Sequence, residues 1–282
     1  MKTRLLPLLF LLAACSPASE KDEAANSLEQ IEPTAAVAPV TVEEQLAAVE
    51  ECKLTLGFDA WEPYQYADVG GRVAGLDIEL ISGVVEQIGC ELTYQQGTWV
   101  DLLAALRKGD IDMLLGASKT EAREQFAFFS DAYRMEEFSL YIRKDDQGHA
   151  VYESLSEFIA DGSKIGIVAD YFYGEEVAEL LDDPEKSKSF INAIMGELNV
   201  ARLLDEDIAG FLEDSFVGAS MLRRKALSEY IVAHGITIQT GDAYVMFSRQ
   251  GITENQLSRF NVELRNVKKS TKYQELLTKY SY

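Results

Sequence analysis

The sequence is poor in basic residues, in histidine and in cysteine. Lysine and arginine number 26 against 47 acidic residues, giving a formal net charge of −21 over 282 residues. A chain of that sign repels polyanions, which argues against nucleic acid and anionic lipid as partners. Only two histidines occur, His149 and His234, both in polar, loop-like settings. Histidine-based metal binding or acid–base chemistry therefore has little support, and no metal or cofactor is expected. Long apolar runs are lacking too: the stretch at residues 5–12 is too short for a permanent membrane span.

That short run has its own logic. A basic start (Lys2, Arg4), an apolar core and small residues before Cys15 make a secretory signal over 1–14. Leu12-Ala-Ala-Cys15 resembles the bacterial lipobox, which implies cleavage before Cys15 and lipid attachment to its sulfur. Ser16, in place of the Asp common in inner-membrane lipoproteins, leans toward outer-membrane sorting. Residues 16–51 then carry nine acidic side chains against one lysine, with Ala, Pro and Ser and almost no aromatics. Such a segment cannot bury enough apolar surface to offset its ordering entropy, so 15–51 reads as a lipidated cysteine on a flexible acidic tether, with a short helix at 42–49 allowed.

The remaining body, 52–282, carries about −15 of the charge and is long enough for a sizeable core. Strand and helix patterns alternate along it. Strands are expected at 53–58, 91–95 and 111–115, with helices at 76–88 and 99–106 closed by Gly89 and Gly109. This βαβαβ run argues for a parallel sheet with crossover helices. An extended strand at 138–143 leaves the unit. A second unit follows, with helices at 151–160, 175–181 and 215–224 and strands at 164–168 and 207–212. The chain runs extended again at 243–247 and ends in helices at 253–266 and 271–280. The expectation is an α/β fold of two lobes joined by a two-strand hinge, with 52–142 and 248–282 in lobe 1 and 143–247 in lobe 2.

Cys52 and Cys90 sit in matching contexts, Glu51-Cys-Lys-Leu-Thr-Leu56 and Gly89-Cys-Glu-Leu-Thr-Tyr94, each opening a strand. Were those strands parallel neighbours, the two would face each other within disulfide reach, and export would preserve the bond. A Cys52–Cys90 disulfide is favoured over two free thiols.

Five pieces in order then carry a resemblance: Trp61-Glu-Pro-Tyr64, Gly75-Leu-Asp-Ile-Glu-Leu80, Leu106-Arg-Lys-Gly-Asp-Ile-Asp112, Ser118-Lys-Thr-Glu-Ala-Arg123 and Phe129-Ser-Asp-Ala-Tyr133. Together they resemble the solute-binding proteins of family 3, the polar amino-acid binders that feed bacterial ABC importers. The resemblance implies the type II periplasmic-binding fold, with two lobes closing over a ligand. It implies that Arg123 holds a ligand carboxylate by two charge-assisted hydrogen bonds, with Ser118 and Thr120 in the same turn. Amides of the following helix start would add to that site. Taken alone, Ser118 and Glu121 also satisfy a capping box, with Arg123 a solvated helix residue.

By the same resemblance Trp61 and Tyr64 wall the ligand, whereas Trp99, on the apolar face of its helix, reads as core. The second lobe departs from the family. Ile165-Gly-Ile-Val-Ala-Asp-Tyr-Phe-Tyr-Gly174 replaces a Gly-Thr-Thr turn with aromatics and an acid, leaving Asp170 and Tyr171 as cleft candidates. The stretch 207–214 matches loosely and puts the acid that pairs with a ligand α-amino group at Asp214; a helix cap before 215–224 is the alternative.

The reading is a monomeric, lipid-anchored periplasmic receptor for an amino acid or similar small carboxylate, serving an ABC permease and touching the membrane through its lipid alone. The alternatives are a periplasmic dehydratase of prephenate-like acids and a ligand sensor without transport.

Overall fold

The computed structural model describes residues 52–280. The expected signal, the Cys15 anchor, the tether and the 42–49 helix lie outside the described residues. The described residues form one unit.

Strand β1 (Cys52–Phe58) leads through the short β2 (Tyr66–Ala67) and β3 (Val73–Ala74) into helix α1 (Leu76–Gln87). Ile78, Ile81, Val84 and Val85 make one buried stripe on α1, and the chain turns out of it at Gly89 with φ of 80°. There follow β4 (Cys90–Gln96), α2 (Trp99–Lys108), β5 (Met113–Ser118), the one-turn α3 (Glu121–Glu124), β6 (Ala127–Phe129) and β7 (Arg134–Arg143). Thr98 caps α2 by accepting from the Asp101 amide, and Gly109 ends it in the left-handed region. The second half holds α4 (Leu155–Ala160), β8 (Ile165–Val168), α5 (Gly174–Asp182), β9 (Phe190–Ala193), α6 (Gly196–Leu204), β10 (Gly210–Asp214), α7 (Ser215–Arg224) and the long β11 (Ile231–Ser248). Helices α8 (Glu254–Lys268) and α9 (Thr271–Tyr280) close it.

The strands join in the order β4-β1-β5-β11-β7-β10-β8-β9. One lobe gathers β4, β1 and β5, the other β10, β8 and β9, and the antiparallel pair β7–β11 runs through both. Each lobe has its own core. Leu56, Ile81, Met113, Phe247 and Phe260 pack in the first, and Leu140, Phe158, Ile165, Val177 and Leu212 in the second. A further cluster joins Trp61, Tyr64 and Leu76 of the first lobe to Val217 of the second. The two lobes therefore share apolar contact across the cleft.

β1 and β4 are parallel with Cys52 opposite Cys90, and the two form a disulfide. Several expected boundaries shift. β5 runs to Ser118, so Gly116 and Ser118 are strand residues and not a turn. β7 begins at Arg134, and β11 spans 18 residues where only 243–247 was expected. β9 and α6 were not foreseen, and the helix expected from 151 starts at Leu155, after the capping Ser154.

Candidate functional site

The site grows from the carboxyl ends of β1, β5, β8 and β10, where open α/β sheets place their ligands. Arg123, on α3 just past β5, is 7% exposed. Its Nη1 donates to the Ser118 carbonyl at 2.8 Å, and its Nη2 crosses the cleft to the Asp170 carbonyl at 2.8 Å. Burial holds its pKa below the ordinary arginine range, while Glu136 and Asp170 oppose that pull. The alternative reading, a capping box from Ser118, is not met. Thr120 is the cap, accepting from the Arg123 amide at 3.3 Å, and the Ser118 hydroxyl donates to Glu136 at 3.4 Å. α3 has only four residues, so the dipole of its start adds little beside the guanidinium.

Aromatic rings form the walls. Trp61 donates its indole N–H to Glu213 Oε1 of the opposite lobe at 3.0 Å. Trp99 does the same to the Asp170 carbonyl at 3.1 Å. Trp99 is buried in a core cluster with Leu102 and Leu106, as its helix face predicts, and it also lines the cleft. Tyr171 lies between the two indoles, with ring centroids 6.1 Å from Trp61 and 5.8 Å from Trp99. Its hydroxyl donates to Asp59 at 3.0 Å. Tyr64 packs behind Trp61 at 5.1 Å and against Phe216 at 5.6 Å.

A second arginine stands at the start of β7. Arg134 approaches Asp77 at 3.3 Å and Glu136 at 3.5 Å, and lies 3.9 Å over the Tyr64 ring. Burial works against its charge, but Asp77 and its other acidic neighbours outweigh that and hold its pKa well above the ordinary value. Its Nη2, like Oε1 of Gln65 nearby, is buried without a hydrogen-bond partner. Gly116, at φ of 68°, leaves room for this arrangement: a Cβ there would sit 2.9 Å from Arg134 Nη2 and 3.0 Å from Trp61.

Four carboxyls around the cleft titrate far above their usual range, in each case chiefly because burial penalises the ionised form. Asp59 is pushed up to about 6, with the Tyr171 hydrogen bond pulling back. Glu136 rises to about 7 against the attraction of Arg134. Glu213 reaches about 8 despite the Trp61 hydrogen bond, with Asp214 and Glu197 adding repulsion. Asp214 rises to about 6; Arg134 and the Phe216 and Val217 amides it caps draw it down.

Of the sequence-expected residues, Trp61, Ser118, Arg123 and Tyr171 meet at one cavity of about 20 Å³, with Asp59, Gln65, Trp99, Gly116 and Glu136. Asp170 does not line that cavity; its carbonyl accepts from Arg123 and Trp99, which do. Tyr64 backs Trp61, Thr120 caps α3, and Asp214 caps α7 behind Glu213. A larger cavity of about 440 Å³ shares Asp59, Trp61 and Tyr171 and adds Glu197 and Glu213. Asp59, Glu136 and Glu213 went unnoticed in the sequence. Two of them carry a usable signal, since Asp59 follows the last residue of β1 and Glu213 is the penultimate residue of β10.

Two α/β lobes, two through-running strands and a buried arginine between them define a cleft-type binding protein. The chain belongs to the bacterial extracellular solute-binding proteins, family 3, whose sequence profile matches residues 54–282. It is 20% identical over 230 residues to the arginine-binding extracellular protein ArtP of Bacillus subtilis, covering 81% of this chain and 86% of that one. Among solved structures, an ancestral arginine-binding protein bound to arginine superposes with a TM-score of 0.70 at 20% identity, over 82% of this chain and 98% of the other. An ancestral amino acid-binding protein, a precursor of cyclohexadienyl dehydratase, superposes with a TM-score of 0.66 at 20% identity, over 82% and 96%.

Proposed function

We propose that this chain is a lipid-anchored periplasmic receptor that captures an amino acid with a cationic side chain and presents it to an ABC permease. The observation that carries the proposal is Arg123, a buried guanidinium whose second donor reaches only a neutral backbone carbonyl of the opposite lobe. A ligand carboxylate taking that place makes the stronger, charge-assisted bond. The surplus of acid around the cleft, with Asp59, Glu136 and Glu213 against Arg123 and Arg134, suits a cationic ligand head. Trp61 and Trp99 offer it indole faces. Gln65 Oε1 supplies a free acceptor, and the arginine-binding relatives are consistent with such a ligand.

Calorimetric titration with arginine, lysine, histidine and the neutral amino acids tests the proposal. Arginine or lysine binds, and Arg123→Ala weakens binding about 100-fold or more. An unchanged affinity in that variant, or no heat with any amino acid, overturns it.

A second reading draws on the same carboxyls. Glu213 and Glu136 are buried at the cleft and pushed up to about 8 and about 7, so they hold protons near neutrality, a state that serves acid-catalysed departure of a hydroxyl as water, with loss of CO2, from a prephenate-like acid. A prephenate turnover assay separates the two: turnover abolished in Glu213→Gln supports the enzyme, and none in the parent protein dismisses it.

A further inference from the structure

Asp170 and Tyr171 take up the space that a ligand needs. Both follow β8 in the second lobe and reach across to the first. The Asp170 carbonyl oxygen accepts from Arg123 Nη2 and from Trp99 Nε1, the donors best placed for a carboxylate. The Tyr171 ring fills the slot between Trp61 and Trp99, edge-on to both, and its hydroxyl binds Asp59. What remains beside Arg123, about 20 Å³, has room for a single water and for no amino acid; the cavity of about 440 Å³ on the Glu213 side is not lined by Arg123 or Trp99. Asp170 also has φ of 60°, a left-handed conformation uncommon for a residue with a Cβ, though aspartate tolerates it better than most, and one that its surroundings help to hold. The contacts on its carbonyl are such a restraint.

We infer that Asp170–Tyr171 is an internal stand-in for the ligand, the carbonyl in place of a carboxylate and the phenol ring in place of a side chain. The cleft closes on its own residues, and a ligand binds by displacing them. Its apparent affinity is then lowered by the small fraction of molecules with the segment withdrawn. A successful competitor needs two features at once. One is a carboxylate to take Arg123, and the other a flat group one ring thick, a guanidinium or an aromatic ring, to replace Tyr171. Branched aliphatic amino acids lack the second. This account of the competitor rests on the amino-acid reading above; self-closure without ligand does not.

Two variants separate the contributions. Tyr171→Ala removes the ring. Asp170→Val keeps the ring and the backbone carbonyl but disfavours the left-handed backbone through its branched Cβ. Small-angle scattering of the purified full chain without ligand is expected to show a larger radius of gyration for both variants than for the parent. Calorimetry with L-arginine is expected to show tighter binding by Asp170→Val, about tenfold or more. Equal dimensions for all three ligand-free proteins overturn the inference, as does arginine binding by Asp170→Val no tighter than by the parent. If arginine gives no heat with any of the three, the amino-acid reading fails and the scattering comparison alone decides self-closure.

Discussion

At the residue scale, Arg123 and Gly116 show how little freedom the site has. Arg123 divides its donors between Ser118 of its own lobe and Asp170 of the other, a geometry that a planar fork provides and a single ammonium cannot. Arg123→Lys therefore keeps the charge but is expected to lose about 10-fold or more in ligand affinity, read by calorimetry. Gly116 is constrained from two directions, by its positive φ and by the closeness of Arg134 and Trp61 to where a Cβ would be. Gly116→Ala is expected to cost about 1–3 kcal/mol, seen as a lower denaturation midpoint at unchanged m-value.

At the element scale, β1 and β4 are fastened at their first residues by the Cys52–Cys90 bond, and β4 is the outermost strand of the sheet. Cys52→Ser is expected to lose roughly 2–4 kcal/mol, and adding reductant should reproduce the loss in the parent protein but not in the variant. This bond, α1 and α2 were legible in the sequence because their signals are local: a repeated Cys-x-Leu-Thr context, an apolar stripe and closing glycines. Where such signals are missing, the element leaves no mark in the sequence. Helix α6 begins after Met195 with no side-chain cap, and β9 is four residues long. β11 alternates between covered and open stretches as it passes from one lobe to the other, so no single period marks its 18 residues. The same divide runs through the site. Arg123 was found from a short motif. Arg134 and Glu136 draw their meaning from Asp77, Ser118 and Thr240, partners far away in sequence and brought near only by the fold.

At the scale of the whole molecule, the raised carboxyls make stability depend on pH in an uncommon direction. Asp59, Glu136, Glu213 and Asp214 bind protons more tightly folded than unfolded. Their contribution is complete below the ordinary carboxyl range near pH 4 and is lost as pH rises through about 6, 7 and 8. The melting temperature is expected to fall between pH 5 and pH 8.5, by about 2–4 °C for each kcal/mol lost, and Glu213→Gln should flatten the upper part of that slope. Ligand binding gives the matching signal. A cation placed beside these groups favours their ionised forms, so protons leave on binding near pH 7. Titrations in buffers of different ionisation enthalpy should show that release.

The sequence contains two tryptophans, and both belong to the first lobe while giving their indole N–H to the second. All of the protein's tryptophan emission thus originates at the cleft, from rings whose hydrogen bonds must break when the lobes part. Opening should move the emission toward the red without any attached dye, and Trp99→Phe would leave Trp61 as a lone reporter of the Glu213 contact. The molecule carries its own optical gauge of whether it is open or shut.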